Sequence, residues 1–115
     1  MITLEPTADG SNTLYVPELN EHYHSVKGAL TESAHIFIQM GLNHAQAANP
    51  SVLEIGFGTG LNAFLTLLEA EKSQRAIHFT SIERFPLSED IVRKLAYPET
   101  IAPEAVSYTH LTLPT

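Results

Sequence analysis

The stretch "EIGFGTG", residues 54–60, decides the fold, because it places three glycines in a short loop between two apolar segments. The segment before it, "SVLEI" at 51–55, has the length and composition of a strand buried on both faces of a parallel sheet. The segment after it, "LNAFLTLLEAEK", places four apolar residues on one side of a helix: Leu61, Phe64, Leu65 and Leu68. We therefore predict a strand, a glycine loop and a helix in that order.

A second strand and a second helix are predicted next. "AIHFTSIE", residues 76–83, alternates, which places Ile77, Phe79 and Ser81 on one side of a strand and His78, Thr80 and Ile82 on the other. "LSEDIVRKLA", residues 87–96, begins with Ser88 as a helix N-cap, and acidic residues follow it. This order is the start of a right-handed doubly wound α/β sheet, which we place at residues 50–105.

Residues 1–49 are predicted to form an N-terminal arm. Two strand-like runs flank Asp9-Gly10, a dipeptide suited to a tight turn, and they indicate a β-hairpin over residues 2–16. A helix should follow, because four residues recur at helical spacing: Leu30, Ala34, Phe37 and Gly41. Gly41 suits the C-terminal end of that helix.

Composition limits the function classes. The chain has 115 residues, 43% of them hydrophobic, which fits one domain at most. It contains neither an apolar run of membrane-spanning length nor a secretory signal pattern, so we expect a cytoplasmic protein. The absence of cysteine excludes disulfides, thiolate metal sites and cysteine nucleophiles. The net charge of −7 argues against this segment binding a phosphate backbone by itself.

The loop favours one cofactor chemistry. Its glycines follow the spacing G-x-G-x-G, Leu61 occupies the position where a dinucleotide fingerprint has its third glycine, and no lysine follows as in a P-loop. The pattern E-x-G-x-G-x-G is motif I of class I S-adenosylmethionine-dependent methyltransferases. Glu54 would accept hydrogen bonds near the ammonium and sulfonium end, and Glu83 would accept them from both ribose hydroxyls. Amides between Gly60 and Asn62 would bind the carboxylate.

Three strings carry a closer resemblance: "LNEHYHSVKGALTESAHIF", "EIGFGTGLNAFLTLLEA" and "FTSIERFPLSEDI". Over residues 9–105 the chain resembles the methyltransferase domain that makes 5-methylaminomethyl-2-thiouridine in tRNA. The resemblance implies a class I Rossmann-like fold and methylation of an aminomethyl group on the wobble uridine. It assigns the cofactor loop to Gly56, Phe57, Gly58, Thr59 and Gly60, and the ribose-binding acid to Glu83. It also implies that a segment closes over the cofactor or the uridine: Tyr23, His24 and Ser25.

The chain departs from that family at its C-terminal end. The family's aspartate-aromatic-proline segment, where the catalytic group is expected, has no match here, so we expect the catalytic residue beyond residue 105. "VSYTHLTLPT", residues 106–115, matches a reading frame of a sequencing-library adapter, and we interpret it as a translation artefact. The sequence thus indicates a truncated methyltransferase that is inactive alone and whose tRNA contacts lie in the missing part.

Other interpretations stay open at this stage. They are a methyltransferase acting on a small-molecule or protein amine, a nicotinamide-dependent oxidoreductase, and a non-catalytic cofactor-binding scaffold. Tyr23 could be a core residue and Glu54 a surface acid at a strand end. Three histidines, His22, His24 and His35, lack metal-ligand spacing, so we predict no metal site. The oligomeric state is not predicted.

Overall fold

The computed structural model describes residues 1–102. Residues 103–115, which contain the predicted adapter segment and the end of the predicted 50–105 unit, lie outside the described residues. The chain begins with a three-stranded antiparallel sheet in the order β1 (Thr3–Pro6), β2 (Asn12–Val16) and β3 (Glu21–His22). The predicted hairpin is therefore confirmed, whereas the short third strand was not predicted.

The hairpin turn is wider than predicted. Pro6 pairs with Asn12, so residues 7–11 form the loop, and within the Asp9-Gly10 pair only Gly10 has a positive φ, of 87°. The Asp9 carboxylate accepts hydrogen bonds from the backbone N–H of Ser11 at 3.0 Å and of Thr31 at 2.8 Å. Burial raises the pKa of Asp9, but these and neighbouring hydrogen bonds outweigh it and hold the pKa well below 3.8. Asp9 thus ties the turn to the following helix.

The predicted N-terminal helix changes its winding halfway along. It consists of α1 (Ala29–Ser33) followed by a π-helical segment (Ala34–Gln39), in which the Met40 N–H donates to the His35 carbonyl. A 3-10 turn (Leu42–His44) comes next. The buried face of α1 is shifted by one residue from the predicted face, and the wider π-helical turn then places the next buried residue, Ile38, five positions after Ser33. The buried residues are Ala29, Ser33, Ile38 and Leu42, whereas the predicted Leu30, Ala34 and Phe37 are half-buried and Gly41 is exposed.

Gly41 is needed for a reason other than the predicted one. Its φ is −103°, so it does not end the helix in a left-handed conformation. A Cβ at this position would lie 2.6 Å from the Phe37 carbonyl oxygen. Glycine is therefore required by close backbone approach.

The second half of the chain has the predicted α/β order. β4 (Ser51–Ile55) leads through the glycine loop into α2 (Leu61–Ser73), and β5 (His78–Ile82) pairs with β4 in parallel. α3 (Glu89–Leu95) follows, and the Ser88 hydroxyl accepts from the Ile91 N–H, which confirms the predicted N-cap. α4 (Tyr97–Ile101) was not predicted.

Both halves of the chain share one hydrophobic core. α2 contributes three of the four predicted apolar residues as buried side chains, and Leu68 packs partly buried against them. The core combines residues from every layer: Leu14, Ala29, Ile38, Leu42, Leu61, Phe64, Leu65, Leu95, Tyr97 and Ala102. The N-terminal arm is thus packed against the α/β unit. Among residues 1–102, no helix has both the length and the apolar character to cross a bilayer.

The parallel strand pair is covered on one face only. Val52 packs against the core, as expected, but Leu53, Ile55 and Ile82 are 64%, 74% and 57% exposed. The prediction that β4 is buried on both faces is therefore wrong for the part of the chain that the structure describes. The physical reason is that both helical elements contact the same side of the strands: the Phe37 ring of the π-helical segment lies 6.4 Å from the Phe79 ring, and Asn62 of α2 bonds Glu54.

The exposed apolar face should make the chain self-associate. We expect the triple variant Leu53→Thr, Ile55→Thr and Ile82→Thr to remain monomeric at higher concentration, because threonine keeps β-propensity while removing apolar surface. Sedimentation velocity over a concentration series measures this. Val52→Thr, on the covered face, is the matched control and should instead lower the free energy of unfolding by about 1–3 kcal/mol. Equal self-association of the triple variant and the wild type would contradict the prediction.

Candidate functional site

The parallel register brings the glycine loop beside Glu83. Ile55 and Ile82 are directly paired at the ends of β4 and β5, and the Gly56 N–H donates to the Ile82 carbonyl at 2.7 Å. Glu83 comes directly after β5. Its two carboxylate oxygens accept from the Gly58 N–H at 2.7 Å and from the Phe85 N–H at 3.0 Å. One side chain thus joins the loop to the end of the neighbouring strand.

A cavity of about 820 Å³ opens over this loop, a size suited to a small molecule or cofactor. Six predicted cofactor residues and two predicted substrate residues line it: Glu54, Gly56, Phe57, Gly58, Asn62, Glu83, Tyr23 and His24. Three other predicted residues, Ser25, Thr59 and Gly60, do not line it. The π-helical segment and the 3-10 turn form the opposite wall through residues that include Phe37 and Leu42.

Glu54 is held by two neutral donors. It is buried, and it accepts from the Asn62 side-chain amide and from the Ser81 hydroxyl, each at 3.0 Å. Burial raises the pKa of Glu54, the two hydrogen bonds lower it, and the nearby charge of Glu83 raises it again, so the net shift is upward. Sequence reasoning missed Ser81: the alternation gave its side of the strand, but its pairing with Glu54 comes from the parallel register.

Asn62 leaves one polar atom available. Its side-chain oxygen Oδ1 is buried and has no hydrogen-bond partner among the described residues. A buried acceptor of this kind costs free energy unless a ligand or water satisfies it. Asn62 therefore combines an amide nitrogen bonded to Glu54 with a buried oxygen that has no partner among the described residues.

Negative charge dominates the cavity wall. Three carboxylates line it, from Glu32, Glu54 and Glu83, and its described lining contains no lysine or arginine. Burial lowers the pKa of His24, with Glu32 opposing the shift, which favours a neutral imidazole. Burial and then Glu83 raise the pKa of Tyr23, so its phenol stays neutral. A cavity with these groups complements a cationic ligand.

The segment after β3 reaches the loop through two of its three predicted residues. A Cβ on Gly58 would lie 3.3 Å from Cδ2 of the Tyr23 ring, so the ring covers this glycine closely. His24 Nε2 is 2.8 Å from the Thr59 hydroxyl oxygen. Ser25 points elsewhere, and its hydroxyl accepts from the Lys27 N–H.

Two of the backbone amides at the helix start bond within the loop. The Gly60 N–H donates to the Phe57 carbonyl at 3.1 Å, and the Leu61 N–H lies 3.4 Å from the Thr59 hydroxyl that accepts from it. These two amides therefore already have partners within the loop. Thr59 is itself buried, and its hydroxyl bonds groups of the protein.

No three potential metal-ligating side chains converge within residues 1–102. The three histidines considered as metal ligands each contact a protein group: His22 lies 2.8 Å from Glu5, His24 bonds Thr59, and His35 lies 3.4 Å from Gln39.

Comparison with known proteins gives a consistent result. No family model matches the chain. It is 43% identical over 89 residues to the tRNA 5-methylaminomethyl-2-thiouridine biosynthesis bifunctional protein MnmC of Delftia acidovorans, and 40% identical over 104 residues to that of Polaromonas naphthalenivorans. The resemblance to MnmC is confirmed. These matches span 71% and 83% of this chain but only 14% and 16% of the MnmC proteins.

A solved structure also resembles this chain. The crystal structure of MnmC2 from Aquifex aeolicus superimposes with a TM-score of 0.68 and 28% sequence identity. The superposition covers 85% of this chain and 37% of the MnmC2 chain. The MnmC-like arrangement therefore includes both the N-terminal arm and the α/β unit.

Two loop glycines allow a matched test of loop shape. Gly56 and Gly60 have positive φ values of 89° and 83°, but a Cβ at Gly56 would meet open space, whereas one at Gly60 would lie 2.8 Å from Cζ of Phe57. Gly56→Ala should cost about 1–2 kcal/mol of unfolding free energy for the left-handed backbone alone. Gly60→Ala should cost more, because the Phe57 ring must also move. Urea denaturation checks the order.

Removing the ring should separate the two costs of Gly60→Ala. In the double variant Phe57→Ala with Gly60→Ala, the added methyl no longer meets an aromatic ring. The double variant should therefore lose less unfolding free energy than the sum of the losses in the two single variants. Strictly additive losses would contradict the proposed steric contact.

Glu54 should give the fold a defined pH dependence. Folding raises its pKa above the ordinary value of 4.5, so the folded state binds this proton more tightly than the unfolded state. The contribution of Glu54 to stability should therefore fall as pH rises above about 4.5. We expect the unfolding free energy of the wild type minus that of Glu54→Gln to decrease between about pH 4 and pH 7. The exposed Glu99→Gln is the control; an increasing difference would contradict the assignment.

Proposed function

We propose that this chain binds S-adenosylmethionine and is part of a class I Rossmann-like methyltransferase domain. The proposed reaction is methylation of an aminomethyl group on the tRNA wobble uridine by a cytoplasmic enzyme. The observation that carries the proposal is the acidic cavity over a glycine loop, between the ends of two parallel strands. The MnmC names of the similar proteins support the tRNA substrate.

The residues present fit this cofactor. A Cβ at Gly56 would project into open space, so the backbone there is accessible to a ligand. Asn62 Oδ1 is a buried acceptor without a protein partner among the described residues, and Glu54 lies beside it. In the proposed complex these two groups accept hydrogen bonds from the ammonium of the methionyl part. Each Glu83 oxygen accepts one N–H and keeps a second lone pair for a ribose hydroxyl.

Charge favours S-adenosylmethionine over a nicotinamide dinucleotide. S-adenosylmethionine carries a sulfonium and an ammonium against a single carboxylate, so its net charge is positive, and the cavity offers Glu32, Glu54 and Glu83. A dinucleotide would place a pyrophosphate dianion among the same carboxylates, which repel it.

The chain's own residues serve alignment rather than proton transfer. S-adenosylmethionine supplies a methyl group already activated by its sulfonium. The protein must hold it in line with a neutral amine and exclude water. Tyr23 covers Gly58, and Phe37 and Leu42 close the opposite wall. We assign no residue among 1–102 as the base or orienting group for the amine, and we expect this chain alone to bind the cofactor without transferring methyl groups.

Equilibrium dialysis with labelled S-adenosylmethionine, at protein concentrations below self-association, tests the proposal. We expect saturable binding of one molecule per chain, and no displacement by excess NAD⁺. Displacement by NAD⁺ would favour a nicotinamide site. Absence of saturable binding would contradict the cofactor assignment.

A charge-matched pair of variants tests the role of Glu83. Glu83→Gln removes one acceptor oxygen and the negative charge, and it should weaken cofactor binding about tenfold, which corresponds to about 1.4 kcal/mol. Glu89→Gln makes the same change at an exposed residue of α3, away from the cavity lining, and should leave the affinity unchanged. Equal affinities of the two variants would contradict the assignment of Glu83 to the cofactor site.

A further inference from the structure

The backbone of His24 is fixed on the N-terminal sheet. Its N–H donates to the Thr13 hydroxyl at 2.9 Å, and that hydroxyl in turn donates to the His24 carbonyl at 3.4 Å. The preceding N–H, of Tyr23, donates to the Leu14 carbonyl at 2.9 Å. Thr13 and Leu14 lie on β2 and are 0% and 1% exposed. The imidazole therefore extends from a rigid, buried support.

Thr59 receives that imidazole at the centre of the glycine loop. Its hydroxyl lies 2.8 Å from His24 Nε2, and it also accepts from the Leu61 N–H at the first residue of α2. Near the loop, the buried Tyr97 phenol of α4 donates to the Asn12 carbonyl of β2 at 2.9 Å. The Thr59 hydroxyl therefore connects the loop with His24 of the N-terminal arm and with the start of α2.

We propose that His24 is a positioning residue that sets the shape of the glycine loop through Thr59, so that the N-terminal sheet is a working part of the cofactor site. The inference deepens the proposed function and rests on it for the identity of the ligand. It differs from the expectation that His24 closes over the cofactor or the uridine, because the described contact of its ring nitrogen is with the loop itself.

The need for such an anchor follows from the loop's composition. Gly56, Gly58 and Gly60 all have positive φ, and glycine has the largest conformational freedom to lose on folding. Thr59 is the non-glycine residue between two of them, and its side chain is 1% exposed. Without the bond from His24, the Thr59 hydroxyl would be buried with fewer partners, and the loop would sample more conformations.

The test measures loop order and ligand affinity in the same variants. His24→Ala and Thr59→Val should each raise amide hydrogen exchange at Gly58 and Leu61 by about three- to tenfold. Each should weaken S-adenosylmethionine binding by a similar factor. In the double variant, amide exchange and binding affinity should change no more than in the more damaging single variant, because both substitutions remove the same interaction.

Conservative and matched variants separate positioning from general destabilisation. His24→Gln retains a side-chain N–H that can reach Thr59, and Thr59→Ser retains the hydroxyl, so both should restore most of the protection and affinity. His22→Ala is the control: it removes a histidine of β3 that bonds Glu5 outside the cavity, and it should leave loop exchange unchanged. Urea denaturation of every variant corrects for global unfolding.

The two proposals fail in different ways. Additive losses in the double variant, or unchanged loop exchange in His24→Ala, would overturn the positioning role even if the wild type binds S-adenosylmethionine. If the wild type binds no S-adenosylmethionine, the proposed function fails. The exchange measurements in the ligand-free chain then still confirm or refute the contact between His24 and Thr59.

Discussion

The parallel pairing of β4 with β5 is the constraint on which the rest of the site depends. Because Ile55 and Ile82 are direct partners, the chain leaves both strands at one edge of the sheet. The glycine loop and Glu83 are consequently neighbours, and the Gly58 N–H reaches the Glu83 carboxylate. A slip of one residue would turn Glu54 toward the exposed face and remove it from Ser81. Register, rather than any single contact, therefore assembles the acidic cavity.

The N-terminal arm and the α/β unit act as one structure at the cavity. Leu14 and Leu61, which come from the two halves, belong to the same core. Asp9 holds the hairpin turn against α1, while Tyr23 and His24, which directly follow β3, reach the glycine loop. The arm thus contributes to the wall, the loop anchor and the core. Its packing gives a physical reason why similarity to MnmC proteins extends across both parts of the chain.

The sequence predicted the elements that follow from local patterns. Glycine spacing, strand alternation and the Ser88 cap located β4, α2, β5 and α3, and most predicted loop residues do line the cavity. The misses depend on contacts that are distant in sequence. Ser81 was missed because its partner Glu54 lies on another strand, and the contact of Thr59 with His24 joins residues 35 positions apart. The exposed face of β4 was missed because an apolar run does not reveal what covers it.

The π-helical segment makes the shape of the cavity wall sensitive to the insertion or deletion of one residue. Ser33 and Ile38 are both buried, although they are five positions apart, where a regular α-helix returns to nearly the same face after four. The wall residues Ile36 and Phe37 lie within this widened turn. In a related chain with one residue fewer between Ser33 and Ile38, a regular α-helix would bury both side chains. Different side chains would then line the cavity. Insertion or deletion of a single codon would therefore alter the space available to a ligand while leaving the glycine loop untouched.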